Sequence, residues 1–378
     1  MEDILELRKK IDVIDNDIVD QYKKRIKVSG EVASYKLQTG KKVYDRQRED
    51  EKLEKLSAMA DNEFDKKAIR ELFSQIMSVS RKYQYSLLNS DDYGLGFECV
   101  DQAIDKNSTV YYFGAPGSYT QQAMKNVFGE TVEGVSEKTF RGVMEAVADG
   151  RADYGVLPIE NSSTGGISAN YDIIPEYDNY IVGQYVMKID QCLLGLEGAN
   201  EEDIKTVYSH PQGLLQCSNY LSERKDIQCV DYDSTSYAAK KVKKDNDISQ
   251  GAIAGESSAK EYGLKIIKKD IQDNAYNKTR FIILSNKPMY TDEADKISLC
   301  LELPHKSGSL YGILSHFLFN DLNLTLIESR PIPGRTWEYR FFIDVEGNIK
   351  DPAVENALIG IREEAALFKV LGNYKEYE

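Results

Sequence analysis

Two groups of polar residues in this chain have spacings suited to chemistry on small anions. In the first, Arg25 and Lys36 lie 11 residues apart, about three helical turns, and so point the same way along one helix face. Asp45, Arg48 and Glu49 stand at i, i+3 and i+4, and Ser80 and Gln84 at i and i+4; each set therefore shares a face. Arg8 precedes Arg25 by 17 residues, roughly 25 Å along a helix and about 100° around it. It cannot share a small site with Arg25 of its own chain, but in an antiparallel dimer it reaches the site of the other. Taken singly, each of these residues reads as a surface charge in a helix salt bridge. Taken together, they can clamp a small anion.

The second group gathers at the ends of apolar runs. Phe113-Gly114-Ala115-Pro116-Gly117-Ser118-Tyr119-Thr120 is a glycine-rich turn opening a helical pattern, where free amides can receive an anion. Gly155-Val156-Leu157-Pro158-Ile159-Glu160-Asn161-Ser162-Ser163-Thr164-Gly165 ends a strand in hydrogen-bonding side chains. Ser209-His210-Pro211-Gln212 and Asp233-Ser234-Thr235 do the same, and Lys278-Thr279-Arg280-Phe281 precedes a last strand. Open α/β sheets bind ligands at the carboxyl ends of their strands, although some of these clusters serve only as helix caps.

The elements that must position these groups fall into three segments. Residues 1–90 contain no proline and only Gly30 and Gly40. Apolar residues recur at Ile4, Leu7, Ile11, Ile14, Ile18, Tyr22 and Ile26, a helical stripe. The first helix is expected to run to about Gln38, near the Gly40 stop, and to measure roughly 50 Å. A second helix follows Asp45 and a third covers about Phe64 to Leu88. Three such helices cannot bury the long stripe within one monomer, which predicts a helical dimer. Ser90-Asp91-Asp92-Tyr93-Gly94 reads as a linker.

Beyond it, short apolar runs at Val110–Phe113, Tyr154–Leu157, Ile181–Val186, Val207–Ser209, Gly251–Ala254 and Phe281–Leu284 alternate with helical patterns. The latter lie at Thr120–Phe128, Thr139–Ala148, Leu214–Leu221 and Ser236–Lys244, and the alternation indicates an α/β domain over about 105–286. After a boundary near 286–295, residues 297–374 read as strand, helix, strand, strand, helix, the order of a small ferredoxin-like α+β domain.

Composition narrows the function classes. The net charge of −14 argues against nucleic acid as a partner. Residues 1–90 hold 19 Lys+Arg against 17 Asp+Glu, so the acidic excess lies elsewhere and leaves this segment free to hold an anion. No run approaches the roughly 18 apolar residues of a membrane span, and the charged start MEDILELRKK is no signal peptide. Cys99, Cys192, Cys217, Cys229 and Cys300 are scattered, without C-x-x-C spacing, and read as reduced thiols of a cytoplasmic protein.

The R…R…K…D-x-x-R-E…S-x-x-x-Q pattern over residues 1–90 resembles the all-helical chorismate mutases. The resemblance implies that Arg25 and the partner's Arg8 clamp the two carboxylates of chorismate. It also implies that Lys36 and Gln84 contact the ether oxygen, that Asp45 and Glu49 hold the ring hydroxyl, and that Ser80 seats a carboxylate, with Arg48 in support. A Claisen rearrangement needs no metal, cofactor or nucleophile, only a compact substrate shape and donors aimed at developing charge. G-x-x-P-I-E-N-S, S-H-P-Q and T-R-F together resemble the prephenate dehydratases, which implies two α/β lobes around a cleft, like periplasmic binding proteins. Thr279 is then the residue tied to activity, with Glu160 or His210 as candidate acid. Arg280 either binds a carboxylate or pairs structurally.

Gly308-Ser309-Leu310 and Glu328-Ser329-Arg330-Pro331 resemble the ACT domain of phenylalanine-regulated dehydratases, implying an effector site at Gly308, Leu310, Glu328, Ser329 and Arg330. Ser309 stands where alanine is usual. The reading is therefore a bifunctional, phenylalanine-sensing enzyme forming a homodimer or higher homo-oligomer, without metal. The competing expectation is a non-catalytic bilobed small-molecule sensor with a helical dimerisation arm, which leaves the helical clamp and Thr279 unexplained.

Overall fold

The computed structural model describes residues 3–87 and 95–378; the expected linker and the last residue of the expected third helix lie outside them. Helix α1 (Ile4–Thr39) ends where Gly40 takes φ 66° and its N–H bonds the Lys36 carbonyl, a left-handed cap that a glycine adopts without steric cost. Asp45 caps α2 (Arg46–Ser57) by accepting from the Arg48 amide. Asn62 caps α3 (Glu63–Tyr85) in the same way. Along α1 the side chains of Ile4, Leu7, Ile11, Ile14 and Ile18 remain between 41% and 57% exposed.

After β1 (Glu98–Cys99), the α/β segment runs β2 (Val110–Phe113), α4 (Tyr119–Phe128), β3 (Gly134–Glu137), α5 (Phe140–Ala148), β4 (Tyr154–Asn161), β5 (Gly165–Gly166) and α6 (Ser168–Ile173). It continues β6 (Tyr180–Lys188), β7 (Cys192–Gly195), β8 (Thr206–Ser209), α7 (Pro211–Leu215), α8 (Ser218–Glu223), β9 (Gln228–Asp231) and α9 (Thr235–Asp245). Then come β10 (Gln250–Ala254), α10 (Glu256–Tyr262), β11 (Lys265–Lys268), β12 (Lys278–Ser285) and β13 (Met289–Tyr290). The single helix expected at Leu214–Leu221 is two short ones, because the chain leaves helical geometry at Cys217 (φ −118°, ψ 24°). The expected boundary near 286–295 is also structured: β13 pairs with β1 in parallel.

The C-terminal segment is β14 (Lys296–Glu302), α11 (Ser309–Phe319), β15 (Leu324–Pro331), β16 (Tyr339–Glu346), α12 (Pro352–Glu364), β17 (Leu367–Tyr374) and β18 (Glu376–Tyr377). Its main sheet has the order β15-β16-β14-β17, the connectivity of a βαββαβ unit.

The chain folds into two compact units. One comprises residues 1–95, 301–324 and 349–368, the other 96–300, 325–348 and 369–378. In the first, α3 packs on α1, α2 and α12, and α11 packs on α12, with Val43, Tyr85 and Ile359 forming a small buried cluster.

The second unit includes two larger sheets, ordered β18-β6-β12-β4-β2-β3 with β5 on β4, and β11-β7-β10-β8-β9. Strand β12 lies between β4 and β6 and is antiparallel to both, which is why Phe281–Leu284 reads as an unbroken apolar run. The pairing of β12 with β4 shifts register between Arg280 and Phe281, opposite Glu160 and Pro158. This bulge accommodates a proline in an interior strand. Gly372 on β17 approaches β6 so closely that a Cβ there would lie 2.0 Å from the Ile181 carbonyl oxygen. Gly372→Ala is expected to lower the stability of this unit by about 2 kcal/mol or more, measured by urea denaturation. Among the described residues no helix is long and apolar enough to cross a membrane.

Candidate active sites

Arg25, Lys36, Asp45, Arg48, Glu49, Ser80 and Gln84 all line one cavity of about 650 Å³ in the first unit. The caps put them there. Asp45 starts α2 and so places Arg48 and Glu49 in its first turn, facing α1 and α3. Lys36 donates to the Val43 carbonyl at 2.6 Å. Arg25 donates to the Ser80 hydroxyl and, at 3.3 Å, to the Ile76 carbonyl. Gln84 Nε2 donates to the Ser80 carbonyl at 3.2 Å, while its buried Oε1 has no partner among the described residues.

Burial pushes the Arg25 and Lys36 cations below their ordinary pKa values, opposed by Tyr22 and Glu49 at the first and chiefly by Asp45 at the second. Among the described residues, six cationic side chains face two carboxylates around this cavity, an imbalance suited to a dianion. Arg8 is exposed and does not line the cavity of its own chain. Lys24, Lys52 and Arg81 also line it. Lys52 lies four residues beyond Arg48, a spacing from which it was recoverable. Arg81 lies three residues before Gln84 and shares its face, but the partner that fixes it, Glu364, is far along the chain.

The second cavity, about 620 Å³, is a cleft in the second unit. Its walls include Gly114, Ser118 and Thr120 at the start of α4, and His210, Gln212, Ser234 and Thr235 at the starts of α7 and α9. Ser118 and Ser234 cap α4 and α9, so the positive ends of both helices open on the cleft. Among the described residues His210 and Asp233 line it but no lysine or arginine does; a carboxylate entering here meets amides and hydroxyls at the two helix ends. Gln212 Nε2 bonds Thr164 Oγ1 at 2.8 Å across the cleft mouth.

Thr279 and Phe281 line the cleft while Arg280, between them, turns away. Asn161 Nδ2 donates to Thr279 Oγ1 at 2.9 Å and to Asn277 Oδ1 at 2.8 Å. With a lone pair so engaged, the Thr279 hydroxyl keeps its proton for a ligand. Pro158 and Asn161 both line the cleft although three residues apart; the bulge between them supplies the extra residue that restores the facing. Glu160 instead pairs with Arg280 Nε at 3.2 Å. Arg280 also donates to Asp344 at 2.6 Å, and Asp344 accepts from Ser298 at 2.5 Å. Arg280 is thus paired with Glu160 and Asp344, and neither it nor Glu160 lines the cleft. His210 remains in the wall; its Nδ1 accepts from the Gln212 amide at 3.2 Å, so a neutral imidazole carries its proton on Nε2.

Gly308 (φ 82°) opens α11, with Leu310 in the first turn. Glu328, Ser329 and Arg330 lie on β15. Arg330 forks onto Asp172 at 2.9 and 2.8 Å and reaches Ser168 at 2.9 Å, both on α6.

A cation-lined helical pocket and a separate amide- and hydroxyl-lined α/β cleft on one chain define an enzyme with two sites for small carboxylates. Residues 7–85 match the chorismate mutase type II family and residues 110–289 the prephenate dehydratase family. Over 99% of its length the chain is 31% identical to 98% of the bifunctional chorismate mutase/prephenate dehydratase of Aquifex aeolicus. Among solved structures, a prephenate dehydratase from Arthrobacter aurescens in complex with L-Phe is 30% identical, with a TM-score of 0.66, covering 71% of this chain and 89% of that one. GqqA, a quorum-quenching acylase, is 27% identical with a TM-score of 0.65, covering 71% and 98%. The chain belongs to the family of bifunctional chorismate mutase/prephenate dehydratases.

Proposed function

We propose that the helical cavity rearranges chorismate to prephenate and that the α/β cleft converts prephenate to phenylpyruvate with loss of carbon dioxide and water. The observation that carries this reading is the meeting of Arg25, Lys36, Asp45, Glu49, Ser80 and Gln84 in one cavity while Thr279 stands in another. In the first site, Arg25 and Ser80 seat a carboxylate. Lys36 and the Gln84 amide face the ether oxygen, where negative charge grows as the C–O bond breaks. Asp45 and Glu49 take the ring hydroxyl.

In the second, Thr279 donates to the departing hydroxyl, and His210, in the same cleft wall, is the candidate acid. The helix N-termini hold the ring carboxylate ionised until it leaves as carbon dioxide. Aromatisation supplies the driving force.

The mutase site is completed by Arg8 of a second copy. The exposed Ile4–Ile18 stripe supports this: an isoleucine or leucine gains roughly 1.5–3 kcal/mol on full burial, and an antiparallel partner helix would cover several. The C-terminal βαββαβ segment acts as an ACT-type sensor of phenylalanine, with Glu328, Ser329 and Arg330 among its effector contacts. The Arg330 fork onto α6 supports a route from β15 toward the cleft, since Gly166 and Ile167, just before α6, line it.

Purified protein given chorismate alone is expected to form phenylpyruvate, more slowly when phenylalanine is added. Prephenate accumulating without phenylpyruvate would remove the dehydratase assignment. Absence of turnover would favour the sensor.

A further inference from the structure

We propose that Arg81 is a positioning residue of the mutase site and that the C-terminal helices α11 and α12 hold it in place. The proposal rests on the reading of Glu49 as a substrate contact. Arg81 is only 8% exposed and spends its whole guanidinium fork on two carboxylates. Nη1 donates to Glu49 Oε2, which leaves Oε1 for a ligand. Nε and Nη2 donate to Glu364 Oε1 at 3.1 and 2.8 Å, and the guanidinium lies over the Tyr44 ring at 4.7 Å.

Glu364 stands at the end of α12. His316 of α11, fully buried, places Nε2 3.1 Å from the same Glu364 oxygen. The adjoining Glu363 accepts from the Tyr44 amide and the Tyr85 hydroxyl, both at 2.9 Å. The last turn of α12 therefore grips both Arg81 and the residue just before the Asp45 cap of α2. Burial works against the charge on Arg81, and Glu364 and then Glu49 outweigh it. Neither carboxylate alone meets the whole fork, and a buried cation that loses a partner is strongly destabilised. The orientation of Glu49 toward the cavity is thus set from residues more than three hundred positions along the chain.

The test uses the full chain without phenylalanine and assays mutase and dehydratase separately, the latter on prephenate. Glu364→Gln keeps the shape and removes the charge. It is expected to lower mutase kcat about tenfold with KM changed less than about threefold, leaving dehydratase turnover unchanged. In a Glu49→Gln background the same change should cost less than about twofold, because Arg81 then has no carboxylate to aim. Arg81→Lys, which keeps the charge but cannot span both partners, should reproduce the loss and decides the matter if Glu364→Gln fails to fold. Mutase kcat within twofold of the parent, or an equal loss with and without Glu49, would overturn the proposal and leave Arg81 as structural glue. A Glu49→Gln enzyme with full mutase activity would overturn the site reading as well.

Discussion

Arg25→Ala is expected to lower mutase kcat/KM by roughly 10²–10⁴-fold, the range for removing one partner of a buried, hydrogen-bonded charge pair, while prephenate turnover stays within twofold. The size follows from its surroundings. Arg25 is held by the Ser80 hydroxyl and the Ile76 carbonyl, so its position is set before substrate arrives and little ordering is left to the reaction. Burial, which lowers its pKa, is the same condition that strengthens its attraction for a carboxylate. Chorismate loss followed by chromatography, at about 25 °C, checks the value. The same variant tests the shared site. Mixed and re-equilibrated one to one, Arg8→Ala and Arg25→Ala chains should recover roughly a quarter of the parent mutase activity, since half of the dimers are mixed and each carries one intact site. Equal damage to both activities by Arg25→Ala would contradict the two-site arrangement, and absence of recovery would remove Arg8 from the site.

Thr279→Ala should do the reverse. Loss of one donor aimed at developing charge costs about 10²–10³ in kcat, and phenylpyruvate formation from prephenate is expected to fall by that factor with chorismate rearrangement unaffected. Asn161 would lose its Thr279 acceptor but keep Asn277 and the Lys278 carbonyl, so the buried amide stays satisfied and the fold should persist. Thr279→Ser restores the hydroxyl and should recover most of the rate; Thr279→Val, similar in shape, should not. Dehydratase activity surviving in the valine variant would show that the hydroxyl is not used and turn attention to His210.

Much of the helical site is legible in the amino-acid sequence. Helix periodicity is local, so α1, its stop at Gly40 and the capping residue Asp45 can be read directly, and residues sharing a helix face at i, i+3 and i+4 can be grouped from spacing alone. Spacing thus pairs Arg25 with Lys36, Asp45 with Glu49 and Ser80 with Gln84; the resemblance to chorismate mutases joins the pairs into one set, and all six do line one cavity.

Tertiary structure decided the rest. Three polar residues, Glu160, Thr279 and Arg280, look equally chemical in the sequence. Strand alternation and the bulge beside Pro158 separate them, sending Asn161 and Thr279 to the cleft and Glu160 to Arg280. Arg81 resembles any other helix cation until Glu364 meets it. The sequence by itself determined which helices form and which polar residues share their faces, since those depend on neighbours a few positions away. Which face meets a cavity, and which charge is consumed by a partner, only the packed chain decided, because those depend on contacts between residues as distant as 81 and 364.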